Sequence, residues 1–271
     1  MSVARNMRTA GLVVVMLLLG VLVSDVAGLP GCQQECKTAT ASAQAQLPPP
    51  PPEPPVVGVA PSNGAQDISP ASRVAATVLD GTITGVSMVD DYGKAVDGVV
   101  SPDKRSWQAT QPLRYGRTYA MNVVSRGTTG VPLVRTSTFE TASPSYLTQV
   151  YLETPGGLPI HEDIKYGVGT IVAARFDEPI ADKAAAERRL TVTTNPPVHG
   201  AWYWVDDQTA HWRPEKYYAP GTTVTVAANI FGAKLGDGLY GQEDAKAAFT
   251  IGDAHVSMAD DTTKQVSVFS N

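Results

Sequence analysis

One pattern in this chain occurs twice. Trp107, Leu113, Gly116, Thr118 and Tyr119 in SWQATQPLRYGRTYAMNV return with the same internal spacing as Trp212, Tyr218, Gly221, Thr223 and Val224 in HWRPEKYYAPGTTVTVAA. Each copy reads as a strand ending on a Trp, a turn rich in Pro and Gly, and a second strand with alternating apolar positions. A period of roughly a hundred residues is too long for a solenoid and suits two tandem β-domains. Phe139 and Phe249 take comparable places in the last strand of each copy. The fold class that follows is mainly β, with two tandem Ig-like β-sandwich domains behind a leader and a Pro-rich linker.

The chain of 271 residues is long enough for two such cores. Val74–Val78, Gly85–Val89, Gly98–Val100, Tyr119–Val124 and Thr136–Phe139 read as strands of the first. Thr170–Phe176, Leu190–Thr194, Ala201–Val205, Thr209–Trp212 and Ala247–Ile251 read as strands of the second, with a hairpin turning at Asp206-Asp207-Gln208. One segment, Ala181–Arg189, reads as a helix that Asp182 can cap, short enough that packing must hold it.

The N-terminus reads as an export leader: Arg5 and Arg8 precede an apolar run from Gly11 to Val23. Leu29-Pro30-Gly31-Cys32 resembles a bacterial lipobox with an atypical Pro30, which makes Cys32 the candidate lipidation site; ordinary signal-peptidase cleavage nearby is the other reading. Lys37–Pro55, ending in prolines, reads as an extended spacer. The expected boundaries are leader 1–31, linker 32–55, Ig-like domains 56–142 and 143–252, and a separate hairpin within 253–271.

Net charge is -5, from 21 Lys and Arg against 26 Asp and Glu, with no basic cluster, so nucleic acid is not an expected partner. The two cysteines, Cys32 and Cys36, both precede the folded part, which leaves it no thiol nucleophile. No G-x-S-x-G is present, and the four histidines are scattered. His161-Glu162-Asp163 is the only cluster that tempts a metal assignment, and its Gly/Pro-rich surroundings favour a solvated loop; Asp177-Glu178 before Pro179 favours a turn. No catalytic residue, metal site or cofactor is expected. The aromatic group Trp202, Tyr203, Trp204, Trp212, Tyr217 and Tyr218 admits a core reading and a sugar-stacking reading. Strand alternation puts Trp202 and Trp204 inward and Tyr203 outward, so Tyr203 is the candidate ligand-binding surface.

The run ARFDEPIADKAAAERRLTVTTNPPVHGAWYWVDDQTAHWRPEKYYAPGTTVTVAANIFGAKLGDGLYG, from Ala174 to Gly241, and FTIGD from Phe249 resemble the Ig-like domain beside the catalytic domain of mycobacterial-type L,D-transpeptidases. VGVAPSNGAQDISP, from Val57, is similar to the start of their more N-terminal Ig-like domain. The resemblance implies a place in peptidoglycan cross-linking between diaminopimelate residues, with peptidoglycan as partner. Membrane attachment would run through the lipid or leader. In that family a Cys in an S-H-G-C motif forms the acyl-enzyme, and no such motif occurs here. HVSMADDTTKQVSVFSN resembles the first hairpin of the catalytic domain. The expectation is therefore an inactive, exported stalk; a free-standing envelope Ig-like lipoprotein that binds the wall is the alternative.

Overall fold

The computed structural model describes residues 54–270. The leader, Cys32 and most of the Pro-rich linker lie outside them. In the first sandwich the strands are β1 (Val56–Ala60), β2 (Ala75–Leu79), β3 (Gly81–Asp90), β4 (Gly98–Val100), β5 (Ser106–Ala109), β6 (Thr118–Gly127) and β7 (Pro132–Glu140). They form two antiparallel sheets, β1-β2-β5-β4 and β3-β6-β7. Between them lie Val78, Met88, Trp107, Leu113, Tyr119, Met121, Val123 and Phe139, all buried.

The second sandwich is built from β8 (Tyr146–Thr148), β9 (Val150–Glu153), β10 (Lys165–Tyr166), β11 (Val172–Phe176), helix α1 (Lys183–Glu187), β12 (Leu190–Asn195), β13 (Gly200–Trp204), β14 (Thr209–Pro214), β15 (Thr223–Ala228), β16 (Lys234–Gly236), β17 (Leu239–Gly241) and β18 (Ala245–Ile251). Sheet β13-β14-β11-β9 faces sheet β10-β18-β15-β12, and a small sheet β16-β17-β8 closes one end. Its interior holds one cluster around Trp212, Tyr218, Val224 and Phe249 and another around Phe176, Ile180, Ile230 and Leu235. A last hairpin, β19 (His255–Asp260) with β20 (Gln265–Ser270), is exposed along its whole length.

The repeat is a repeat of packing. Trp107 and Trp212 are 4% and 5% exposed, and Leu113 and Tyr218 lie buried at the matching turn position. Gly116 and Gly221 both adopt positive φ, 60° and 79°, at the turn into the next strand. Each donates its N–H to the end of the closing strand segment, Gly116 to Ala142 at 2.8 Å and Gly221 to Ile251 at 2.9 Å. Tyr119 pairs across the ladder with Phe139, and Val224 with Phe249. Burying each large apolar side chain contributes about 1.5–3 kcal/mol, so the shared positions fix both cores.

A second correspondence is absent from the spacing of the sequence. Gly98 on β4 and Gly200 on β13, both edge strands, lie flat under Trp107 and Trp212; a Cβ at either would overlap the indole. The spacing differs between copies, nine residues against twelve, because the paired arms of β13–β14 are longer than those of β4–β5. Aspartates set several of the turns; in the one between β4 and β5, Asp103 accepts from the Arg105 N–H at 3.1 Å. Asp90 accepts from the N–H groups of Tyr92 and Lys94 at 3.0 and 2.8 Å, and Asp206 from those of Gln208 and Thr209 at 2.7 and 2.6 Å.

Helix α1 is shorter than the 181–189 expected. Asp182 caps it by accepting from the Ala185 N–H at 2.9 Å, and β12 already begins at Leu190. The helix is held by packing: Ala186 is fully buried and Glu187 accepts from the Trp204 indole N–H at 2.7 Å. Lys183 reaches Asp207 at 2.8 Å across the top of the β13–β14 hairpin.

Between the sandwiches the contact is polar and close. The Tyr115 hydroxyl accepts from the Gly232 N–H at 2.9 Å and donates to the Gly241 carbonyl at 2.7 Å. Its ring meets Phe231 and Tyr240 edge-on at 5.7 and 6.0 Å. Ser69 donates to the Gly232 carbonyl at 2.8 Å, and Tyr240 donates to Asp67 at 3.1 Å. Gly232 has φ 73°, and a Cβ there would overlap Ser69 Oγ and lie 2.9 Å from the Ala71 Cβ. The connecting segment has no slack: Ala142 donates to Ile68 of the first sandwich at 2.9 Å, and Ser145 and Tyr146 both donate to Gly238 of the second, at 2.9 and 3.0 Å.

Candidate functional site

Strand β13 alternates as a two-sided strand must. Trp202 and Trp204 pack against the core clusters, Trp204 stacked on Phe176 at 5.8 Å, while Tyr203 stands 69% exposed on the outer face. The next aromatic pair splits in the same way. Tyr218 occupies the buried repeat position beside Trp212, which throws its neighbour Tyr217 outward to 74% exposure. Of the six aromatic side chains in the sequence cluster, four belong to the interior and two to the surface.

Those two tyrosines flank a recess. A concavity of about 680 Å³ runs over Trp202, Tyr203, Arg213 and Glu215. A second, about 420 Å³, is lined by Gly169, Arg213, Lys216 and Tyr217, and a third, about 330 Å³, by Pro196, Pro197, His199 and Tyr217. Glu215 borders all three, so they meet at one corner. The walls are tied by the Glu215 N–H, which donates to the His199 carbonyl at 2.8 Å. Tyr217 lies against Gly169, where an added Cβ would sit 3.2 Å from its ring.

Elsewhere the carboxylates and histidines are structural or solvated. Asp177 accepts from the Thr148 hydroxyl at 2.9 Å and the Gln149 N–H at 2.8 Å, tying β11 to the β8–β9 junction. Glu153 is paired with Arg175 at 2.9 Å. His161, Glu162 and Asp163 lie exposed on a turn, and among the described residues no three His, Cys, Asp or Glu side chains gather as a metal site would require. Burial pushes the Tyr218 hydroxyl well above the ordinary tyrosine range, and that hydroxyl meets no hydrogen-bonding group among the described residues. It sits in a core and is not presented to a ligand. Among the described residues no helix is long and apolar enough to cross a membrane.

The structure therefore offers an exposed aromatic recess and no assembled acid–base or nucleophilic constellation among the described residues. The outward orientation of Tyr203 is legible in the alternation of its strand, whereas Tyr217 is legible only as a member of an undivided aromatic group. His199, Arg213, Glu215 and Lys216 carried no signal, being ordinary polar residues until the β12–β13 and β14–β15 turns bring them together.

Comparison with known proteins agrees with this architecture. The chain is 41% identical over 214 residues to L,D-transpeptidase 2 of Mycobacterium tuberculosis (strain CDC 1551 / Oshkosh), a match covering 79% of this chain and 51% of that protein. It is 35% identical over 212 residues to L,D-transpeptidase 5 of Mycobacterium tuberculosis (strain ATCC 25618 / H37Rv), covering 77% and 46%. The chain thus spans about half the length of the curated relatives it matches. A solved L,D-transpeptidase in complex with imipenem aligns with a TM-score of 0.35 and 24% identity over 45% of this chain and 49% of that one. The model of the bacterial Ig domain matches residues 65–234, most of both sandwiches, and the chain belongs to that family.

Proposed function

We propose that this chain is the non-catalytic Ig-like stalk of a peptidoglycan L,D-transpeptidase, and that it positions a catalytic domain whose S-H-G-C motif is absent from these 271 residues. The observation that carries the reading is the Tyr115–Gly232–Ser69 contact. A spacer that sets a working distance must transmit position, and here the two sandwiches are joined through buried backbone groups with two connecting residues, Ser143 and Pro144, left free of backbone bonds. The relatives of about twice the length support the same reading. Export and membrane attachment through Cys32 or the uncleaved leader belong to this proposal, as do domain limits at 56–142, 143–252 and 253–271. The exposed β19–β20 hairpin carries apolar residues on both faces, Val266 and Val268 on one and Val256, Met258 and Phe269 on the other, which fits a segment that packs within a further domain.

The test has two arms. Incubated with a carbapenem, the chain shows no acyl adduct by intact mass; an adduct at any residue defeats the inactive-stalk reading. Metabolic labelling with a fatty-acid analogue marks the parent and spares Cys32→Ser. Label retained in that variant removes lipidation at Cys32. A second reading, a free-standing wall-binding lipoprotein, is favoured by the exposed Tyr203, and sedimentation with purified sacculi measures it.

A further inference from the structure

The corner where the three recesses meet is organised in a way that a bare stalk does not need. Two other exposed tyrosines, Tyr92 and Tyr151, are already covered, whereas Tyr146, 64% exposed, is uncovered among the described residues but lines none of the three recesses. Tyr92, 75% exposed at its edge, has the Arg117 guanidinium 4.0 Å from its ring centre, and Tyr151 has that of Arg175 at 4.6 Å. Tyr203 and Tyr217 have no cation and no second ring over their faces among the described residues. Nor do Arg213, Lys216 or Glu215 enter any ion pair among the described residues, although the chain is acidic overall at -5. Two bare aromatic faces therefore stand beside a set of donors and one acceptor whose hydrogen-bonding capacity is unspent.

We propose that His199, Tyr203, Arg213, Glu215, Lys216 and Tyr217 form a saccharide site that holds a peptidoglycan strand along the second sandwich; this rests on the reading that the chain works within the wall. A pyranose ring has an apolar C–H face and a polar rim, and the recess matches both. The phenol rings take the faces, and Arg213, Lys216, His199 and Glu215 take hydroxyl and acetamido groups at the rim. The combined space, concavities of about 680, 420 and 330 Å³, accommodates several rings rather than one. Two fixed cations against one carboxylate favour a strand that carries carboxyl groups on its peptide branches. The site would hold the wall on the flank of the stalk, apart from any catalytic centre, so that the stalk is oriented by the polymer it stands in.

The full chain is titrated with soluble disaccharide–stem-peptide fragments and, separately, with chitotetraose. Calorimetry and the fluorescence of Trp202, which lines the largest recess, report binding. Tyr203→Ala and Tyr217→Ala each weaken both ligands, by about three- to tenfold. Arg213→Gln weakens the stem-peptide fragments more than chitotetraose. Tyr92→Ala, on the other sandwich, binds as the parent does. Thermal midpoints stay level across Tyr203→Ala and Tyr217→Ala because both side chains are largely exposed. If the parent sediments with sacculi while the two tyrosine variants bind fragments as well as it does, the site is overturned and wall residence stands. If the parent neither sediments nor binds fragments, the site and the wall reading fall together.

Discussion

Gly232→Ala tests the junction between the sandwiches most directly. The position has φ 73°, where a side chain costs about 1–2 kcal/mol. The new methyl also overlaps Ser69 Oγ and presses on Ala71, so the loop that carries Ser69 must withdraw. Withdrawal breaks the Ser69 bond to the Gly232 carbonyl, and a shift of the Gly232 backbone weakens its bond to the Tyr115 hydroxyl, each worth about 1 kcal/mol net. Together these amount to about 3–4 kcal/mol, a large share of the roughly 5–15 kcal/mol typical of a folded protein. Urea denaturation followed by tryptophan fluorescence measures it, since each sandwich holds a buried Trp. Because the two sandwiches are then less firmly coupled, the transition of the variant is broader than that of the parent or splits. The decisive arm is a cycle with Ser69→Ala. Removing the hydroxyl removes the principal overlap, so the same glycine substitution costs about 1–2 kcal/mol less in that background. Equal penalties in both backgrounds, or a Gly232→Ala penalty below about 1 kcal/mol, would refute the account of a tight junction.

Three further outcomes follow from the cores and the phenols. Gly98→Ala and Gly200→Ala each drive a methyl into an indole and lose about 1–3 kcal/mol by overpacking, and their effects add because they act in separate cores; urea titration of the singles and the double checks both points. Tyr218→Phe keeps the stack on Trp212 at 6.3 Å and discards a buried hydroxyl without a protein partner, so stability holds within about 1 kcal/mol or rises, whereas a loss above that reveals a partner for the hydroxyl. Burial, above all, raises the Tyr115 and Tyr240 hydroxyls above the ordinary value of 10.0; the folded state holds these protons more tightly, so stability is level below about pH 10 and falls as pH climbs through the raised values. Tyr115→Phe begins less stable and declines less steeply above pH 10, and parallel pH profiles for the two proteins would rule this out.

The parts of this fold that could be read in the sequence are those with a local cause. The Trp-to-Gly repeat is visible because buried side chains and a positive-φ turn recur at one spacing, and the tight turns are visible because Asp90 and Asp206 each bond backbone groups within a few residues. Alternation on β13 sorted Trp202 and Trp204 from Tyr203 without reference to anything remote. The short strands β8, β10, β16 and β17 have too few residues to show a period; β8 and β10 are strands only because a distant partner supplies their bonds, while β16 and β17 pair with each other across Asp237-Gly238. Gly98 and Gly200 escape notice because their reason lies in an indole on the neighbouring strand. The junction is the extreme case: Tyr115 and Gly232 are 117 positions apart and neither belongs to a recognisable pattern. The recess is intermediate, with its aromatics legible as a group and its polar rim assembled only by two turns.

The connection through Ser143 and Pro144 bears on what fixes the spacing of the two sandwiches. One residue added there would not extend it by one residue's rise. It would be taken up as a bulge at Ser143 and Pro144, while the Tyr115–Gly232–Ser69 contact and the Ser145 and Tyr146 bonds to Gly238 hold the two cores in place. The spacing of the two cores is thus set by the junction and not by the length of the chain that connects them.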